Sequence, residues 1–136
     1  MFLCTYLNFN GQCEEALKFY ERVLEGKIEA LVRYEGTPAA EHAPVELSKK
    51  ILHGRIRVGD STLMASDAPP DHFSPPKGFS VTIQATDPAK AERIFGQLAE
   101  GGSVLMPIQQ TFWAARFGML VDRFGIPWMV NCEESK

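Results

Sequence analysis

The pattern of apolar and polar residues changes period several times along the first half of the chain. Residues 3–9 alternate the two kinds of side chain, which is typical of a strand. Asn10 and Gly11 then indicate a turn, with Asn10 as a candidate N-cap. After them, apolar residues recur at helical spacing, which predicts a helix near residues 11–25. Three strands are predicted to follow, at residues 27–34, 51–58 and 62–66.

The second half of the chain repeats this order of elements. Residues 79–85 alternate and predict a strand. Asp87 and Pro88 have the form of an N-cap followed by proline at the first helical position. The apolar stripe behind them predicts a helix near residues 88–100. Three further strands are predicted, at residues 103–109, 115–121 and 126–132.

The helices of the two halves also correspond in their caps and apolar positions, although few residues are identical. Ala16 falls on Ala91 and Gly26 on Gly101 at one common shift, and each half has the order strand, helix, strand, strand, strand. A four-stranded sheet with one helix has one face left to cover, and two copies can combine such faces. We therefore predict an α+β fold of two tandem βαβββ modules that form a curved sheet with a concave pocket. A ferredoxin-like α+β domain without a pocket is the alternative.

Two proline-containing segments interrupt the pattern. Residues 69–77 are rich in proline, so we interpret them as a linker between a first module at residues 1–68 and a second module at residues 78–136. Residues 36–50 show no clear period, and we expect them to form a long loop that can include one short turn. Loops of this length are usually functional or mobile.

Composition narrows the range of partners. The chain has 136 residues and a formal net charge of −3, so it lacks the basic field that nucleic-acid binding needs. No apolar run is long enough to predict a membrane span. The three cysteines include no pair at CxxC spacing, which fits a reducing compartment. The first residues lack the features of a signal peptide, and we expect a cytoplasmic protein.

Several segments resemble a known family. They are YLNFNG at residues 6–11, CEEA at 13–16, LMASD at 63–67, QTFWA at 110–114 and DRFGIPWMVN at 122–131. The chain is identified by them as similar to the PhnB-like branch of the glyoxalase/bleomycin resistance/dioxygenase (vicinal oxygen chelate) superfamily. The resemblance implies the paired βαβββ fold and a homodimer, but no single reaction, because the superfamily includes several activities. Members of this branch are sometimes labelled methyltransferase-like, and no Gly-rich cofactor loop supports that label here.

The resemblance also implies where a metal ion would bind. In metalloenzymes of the superfamily the ligands come from the first and the last strand of each module. The last-strand positions correspond to Met64 and Met129, and the first-strand positions fall among residues 4–6 and 79–81. None of these supplies the carboxylate or imidazole that Zn, Fe, Mn or Ni sites prefer, so we expect no metal and no cofactor. Thioethers could hold Cu(I), but methionine at an inward strand position typically fills apolar space.

Seven side chains are candidate contacts for a small-molecule ligand: Tyr6, His53, Met64, Trp113, Phe117, Trp128 and Met129. His53 shares a strand face with Arg55 and Arg57 and could donate to an anionic ligand, although an exposed strand face is the alternative. Trp113 lies in a non-periodic connection, which favours a pocket, whereas ordinary core packing would account for some of the other aromatic residues. Cys13, at a helix N-terminus, is interpreted as a small buried apolar residue.

These observations favour a metal-independent small-molecule-binding protein whose ligand is unknown, and they leave open whether it catalyses a reaction. The alternative is a metal-dependent lyase or dioxygenase of the same superfamily. A third possibility is a structural or interaction dimer that binds no ligand. We expect a homodimer because edge strands must be paired or covered and because the family resemblance favours a closed, symmetric assembly.

Overall fold

A computed structural model describes residues 1–134. The chain divides into two compact units, Met1–Ser74 and Pro75–Lys136. The module limits 1–68 and 78–136, with the linker between them, stay a prediction. Within the described residues no helix is long and apolar enough to cross a membrane.

Unit 1 contains one helix and a four-stranded mixed sheet. Its elements are β1 (Thr5–Phe9), α1 (Cys13–Val23), β2 (Lys27–Arg33), β3 (Ile51–Val58) and β4 (Ser61–Asp67). The strands lie in the order β1-β4-β3-β2; β1 pairs with β4 in parallel, and the other neighbours are antiparallel. Three short 3-10 turns lie in its connections, at Pro38–Glu41, Val45–Leu47 and Pro70–His72. The 36–50 segment is thus a loop with two short turns, and buried Leu47 lies in the second.

Unit 2 repeats the arrangement of unit 1. Its elements are β5 (Val81–Ala85), α2 (Pro88–Ala99), β6 (Ser103–Gln109), β7 (Arg116–Val121) and β8 (Pro127–Cys132). The strand order is β5-β8-β7-β6, with β5 parallel to β8 and the remaining pairs antiparallel. Neither sheet is closed. The predicted α+β class with two βαβββ modules is confirmed.

The two helices begin in different ways. Asp87 caps α2 as predicted, because its side chain accepts a hydrogen bond from Ala89 N, and Pro88 occupies the first helical position. At α1 the prediction of Asn10 as N-cap is wrong. The N-cap position is Gln12, which makes no side-chain capping bond. The first free N–H of α1 instead donates to a carboxylate from β4, so tertiary structure supplies the cap.

Each helix covers one face of its own sheet. The core of unit 1 includes Leu17 of α1 and every second residue of β4, Leu63 and Ala65. In each unit the helix lies so close to the sheet that one strand position has no room for a side chain and is occupied by glycine. A Cβ at Gly54 would lie 2.5 Å from the end of the Leu17 side chain, and a Cβ at Gly118 would lie 2.6 Å from the Phe95 ring. The opposite face of each sheet carries the partly exposed residues and is called here the open face.

Candidate functional site

The open face of the unit 1 sheet carries one predicted residue at its centre. Met64 in β4 pairs directly with Tyr6 in β1 and with Arg55 in β3. Side chains of directly paired residues lie on the same face of a sheet. The Met64 thioether is therefore flanked by a phenol that is 44% exposed and by a guanidinium.

Tyr6 also contacts His53, a second predicted residue on this face. The Tyr6 Oη atom lies 3.3 Å from His53 Nδ1, and the ring centroids are 6.0 Å apart. Either group can be the donor, because the tautomer of a neutral imidazole decides which nitrogen carries the proton. If the phenol donates to Nδ1, the Nε2–H of His53 is left for another acceptor.

An ion cluster lies beside this pair. Glu29 accepts from Arg55 Nε at 3.0 Å and forms a second ion pair with Arg57 Nε at 3.1 Å. Glu29 lies in a β-bulge of β2, between two residues that pair normally with β3. A bulge re-aims the side chain of its extra residue, and here that side chain bridges two arginines. Arg55 and Arg57 share the open face with His53, as the sequence predicted.

The opposite, buried side of β4 ends in Asp67, a functional group that sequence reasoning missed. Asp67 is 1% exposed. Its carboxylate accepts from the backbone N–H groups of Cys13 and Ile51, each at 2.9 Å, and its carbonyl oxygen accepts from Tyr34 Oη at 2.8 Å. It thus holds together the end of β4, the start of α1 and the start of β3. The alternation of β4 could have indicated its burial, because Asp67 follows the buried residues Leu63 and Ala65 at a spacing of two.

The titratable groups at the start of α1 do not form a nucleophilic site. Burial, with the negative charges of Asp67 and Glu14, raises the pKa of the Cys13 thiol far above its usual range. The thiol is therefore protonated at neutral pH, which agrees with its interpretation as an apolar core residue. Glu14 behaves in the opposite way: hydrogen bonds from Arg33 and Lys18 lower its pKa to about 2.

The open face of unit 2 places Met129 where unit 1 has Met64. Met129 in β8 pairs with Thr82 in β5 and with Met119 in β7, and Thr82 Oγ1 donates to its sulfur at 3.8 Å. An open, mainly apolar depression of about 490 Å³ reaches this methionine. Its other lining residues include Phe79 and Leu105, which are both exposed.

Three aromatic rings lie at the β6–β7 connection and the start of β7, and Trp113 contacts the other two. Phe112 is 94% exposed and Trp113 is 50% exposed. The Trp113 ring lies edge-on to the rings of Phe112 and Phe117, with centroid separations of 4.8 and 5.5 Å. Thr111 fixes this turn, because its Oγ1 accepts from the backbone N–H groups of Trp113 and Ala114. We call Phe112, Trp113 and Phe117 the aromatic cluster.

Trp128 differs from the other predicted contacts. It is 1% exposed, and its indole N–H donates to Asp122 at 2.9 Å. Asp122 also accepts from the backbone N–H groups of Phe124 and Ile126, so it organises the last turn. Adjacent residues of a strand point to opposite faces. Trp128 is therefore a core residue, and Met129 beside it faces the open side.

Comparison with known proteins places the chain among its relatives. Residues 2–131 match the model of the family described as 3-demethylubiquinone-9 3-methyltransferase. The chain belongs to this family. It is 33% identical to Protein YjdN of Escherichia coli (strain K12), over 95% of this chain and 93% of the relative. It is 46% identical to protein PA1353 from Pseudomonas aeruginosa, whose crystal structure matches with a TM-score of 0.90 over 99% of both chains.

More distant structures carry the PhnB name and the superfamily fold. A putative 3-demethylubiquinone-9 3-methyltransferase, PhnB protein, from Bacillus cereus is 24% identical, with a TM-score of 0.80 over 97% of this chain and 99% of the other. A glyoxylase/bleomycin resistance protein/dioxygenase domain from Frankia is 10% identical, with a TM-score of 0.66 over 98% of both chains. Both likenesses show the fold alone, and the family follows from the match of residues 2–131. The resemblance to PhnB-like proteins is confirmed.

Methionine occupies both positions at which the family resemblance implied last-strand metal ligands. Met64 and Met129 occupy the centre of the last strand in their units, each beside the first strand of that unit. Their partners on the first strands are Tyr6 and Thr82. In the part of the chain that the structure describes, no three His, Cys, Asp or Glu side chains are grouped closely enough to hold a metal ion.

Proposed function

We propose that this PhnB-like protein binds a small organic molecule without the help of a metal ion, as a cytoplasmic homodimer. The proposed contacts on unit 1 are Tyr6, His53 and Met64, and those on unit 2 are Trp113, Phe117 and Met129. Trp128 is left out because it is buried in the core. The proposal concerns binding and includes no methyl transfer or other reaction.

The observation that carries this proposal is the exposed aromatic cluster. Phe112 is almost fully exposed and Trp113 is half-exposed, although full burial of a Phe side chain is favourable by about 1.5–3 kcal/mol. The Trp113 ring contacts the other two rings edge-on, and the hydrogen bonds to Thr111 Oγ1 organise the backbone of this turn. Large exposed apolar groups in a fixed arrangement are typical of a binding surface. Aromatic rings with one polar atom, such as that of Trp113, also orient a bound molecule.

Metal independence is supported by the side chains at the two matched positions. Thioethers are soft ligands and compete poorly with oxygen and imidazole for Zn²⁺, Mn²⁺ or Ni²⁺. Met64 lies between a phenol and a guanidinium, and the guanidinium would repel a cation. The homodimer is supported by the four edge strands β1, β2, β5 and β6, each unpaired on one side within its own sheet.

The two tryptophans allow a direct test, because one is half-exposed and the other is buried. We would titrate the protein with N-phenyl-1-naphthylamine, a neutral aromatic dye. Binding is measured in every variant from the fluorescence of the directly excited dye, and energy transfer from tryptophan is followed in the wild type. We expect saturable binding that quenches Trp113, and loss of that binding in Trp113→Ala. Val45→Ala is the matched control, since Val45 is an exposed apolar residue of the other unit. Equal binding by wild type and Trp113→Ala would contradict the proposed role of the cluster.

Two further measurements test the remaining parts. Thermal unfolding with added Zn²⁺, Mn²⁺ or Ni²⁺ should give an unchanged midpoint, and a rise of several degrees would overturn metal independence. Light scattering should give the mass of a dimer. A monomer at high micromolar concentration would count against the homodimer.

A further inference from the structure

The open face of unit 1 carries more positive than negative charge. Lys27 pairs directly with Arg57 across β2 and β3, so these two cations share the face with Arg55. Glu29 is the single carboxylate among the described strand residues on this face. Three cations and one carboxylate leave a local excess of positive charge, although the whole chain has a net charge of −3. Such an excess attracts a small anion.

Arg55 and Arg57 have N–H groups that are not used in their contacts with Glu29. A guanidinium carries five N–H groups, and each contact with Glu29 uses the Nε atom. Among residues 1–134 the Nη groups of Arg55 and Arg57 have no protein hydrogen-bond acceptor. Paired N–H groups of this kind match the two oxygens of a carboxylate or phosphate. His53 and Tyr6 add two more polar groups within the same part of the face.

The remaining surface at this position is apolar. Met64 lies between Tyr6 and Arg55, and the partly exposed Tyr6 ring offers a flat side to a ligand. Methionine adapts its shape to irregular apolar groups and makes favourable contacts with aromatic rings. An occupant that satisfies both parts of this surface has a charged end for the arginines and a small apolar body for Met64 and Tyr6.

We infer that the open face of unit 1 binds an organic oxyanion, a carboxylate or phosphate ester joined to a small apolar or aromatic group. Arg55 and Arg57 bind the oxyanion, His53 donates to it, and Met64 with Tyr6 contacts the apolar part. This inference rests on the proposed function and adds the chemical class of the ligand.

The five methionines provide reporters for each unit. With ¹³C-labelled methionine methyl groups, the Met64 signal reports on unit 1 and the Met129 signal on unit 2, each assigned from its Leu variant. The probes are benzoate and phenyl phosphate, compared at constant ionic strength with benzamide, a neutral molecule of the same shape as benzoate. We expect both anions to shift the Met64 signal saturably and benzamide to bind at least about tenfold more weakly. The two anionic arms distinguish a carboxylate from a phosphate ester.

Two variants test the charged residues of the site, and a third is a control. Arg55→Gln with Arg57→Gln should weaken benzoate binding by about tenfold or more. Arg116→Gln is the control, because Arg116 forms an ion pair with Glu92 in unit 2 and has a similar exposure. Glu29→Gln should strengthen benzoate binding by about threefold or more, since it removes a competing carboxylate. If Glu29 and its arginines served only to hold the sheet together, Glu29→Gln would weaken binding instead. Circular dichroism confirms that each variant is folded.

The possible outcomes separate this inference from the proposed function. Equal binding of benzamide and benzoate at Met64 would overturn the oxyanion class and leave small-molecule binding intact. No shift of Met64 with any of the three probes would overturn the unit 1 site, whereas the dye titration at Trp113 decides the proposed function independently. Anion binding that survives loss of both arginines would also overturn the inference.

Discussion

Replacement of Asp67 should reveal how strongly one buried carboxylate holds unit 1 together. Asp67→Ala removes the acceptor of two backbone N–H groups, those of Cys13 and Ile51. Asp67→Asn keeps one carbonyl oxygen but turns an N–H₂ group toward the other donor. The alanine variant should therefore lose both bonds, and the asparagine variant one.

The expected magnitude follows from these contacts. A hydrogen bond to a charged group contributes about 1.5–3 kcal/mol, and a buried donor left without a partner costs about 1–3 kcal/mol. The negative charge beside the first turn of α1 adds about 0.5 kcal/mol through the helix dipole. We expect the free energy of unfolding to fall by about 4 kcal/mol in Asp67→Ala and by about 2 kcal/mol in Asp67→Asn. A small domain is stable by only about 5–15 kcal/mol, so the first change is severe.

Urea denaturation followed by circular dichroism measures the loss, and amide hydrogen exchange locates it. Exchange at Cys13 and Ile51 should accelerate more than exchange in the centre of β3. Asp71→Ala is the control, because Asp71 is an exposed aspartate of the same unit. The reasoning is refuted if Asp67→Ala is within about 0.5 kcal/mol of this control.

Three other predictions concern charge, backbone and the open face of unit 2. The pKa of Glu14 is about 2 in the folded protein and 4.5 ordinarily, so its ionised carboxylate stabilises the fold fully above pH 4.5. Wild type should lose this advantage over Glu14→Gln between about pH 4.5 and 2, by less than about 1 kcal/mol because the ion pairs are partly exposed. Gly96→Ala should stabilise α2 by about 1 kcal/mol, since its Cβ meets no atom within 4 Å, whereas Gly118→Ala should cost about 1–3 kcal/mol against Phe95. Met129→Leu should cost less than about 1.5 kcal/mol and Met129→Glu more.

For each of these three predictions, one experimental result would contradict the reasoning. A pH-independent difference between wild type and Glu14→Gln would mean that the carboxylate is not held by its cationic neighbours. Equal effects of Gly96→Ala and Gly118→Ala in chemical denaturation would contradict the close approach at Gly118. A Met129→Glu variant as stable as wild type in thermal unfolding would contradict the packing of this side chain against its apolar neighbours.

Periodicity alone locates most of the fold. The predicted helices near residues 11–25 and 88–100 correspond to Cys13–Val23 and Pro88–Ala99. The strands predicted at residues 51–58 and 103–109 coincide with the observed limits of β3 and β6. The correspondence of Met64 with Met129 also follows from sequence, because the two units repeat the same register.

The sequence interpretation fails where it depends on contacts between distant residues. Asp67 needs N–H groups from Cys13 and Ile51, and no local pattern reveals that these three converge. Trp128 is a different case. Neighbouring residues of a strand point to opposite faces, so Trp128 and Met129 cannot both contact a ligand on the same face. A consistent use of this alternation would have assigned the tryptophan to the core.

The parallel pairing of β1 with β4 and of β5 with β8 has a consequence for synthesis on the ribosome. In each unit the strand made first lies beside the strand made last. β1 and α1 therefore emerge before their sheet can form, and they wait until β4 has left the exit tunnel. Because each sheet draws all its strands from one unit, unit 1 can complete its sheet while unit 2 is still being translated. We therefore expect the nascent chain to fold in two successive steps, in each of which one unit completes the hydrogen bonds of its own sheet.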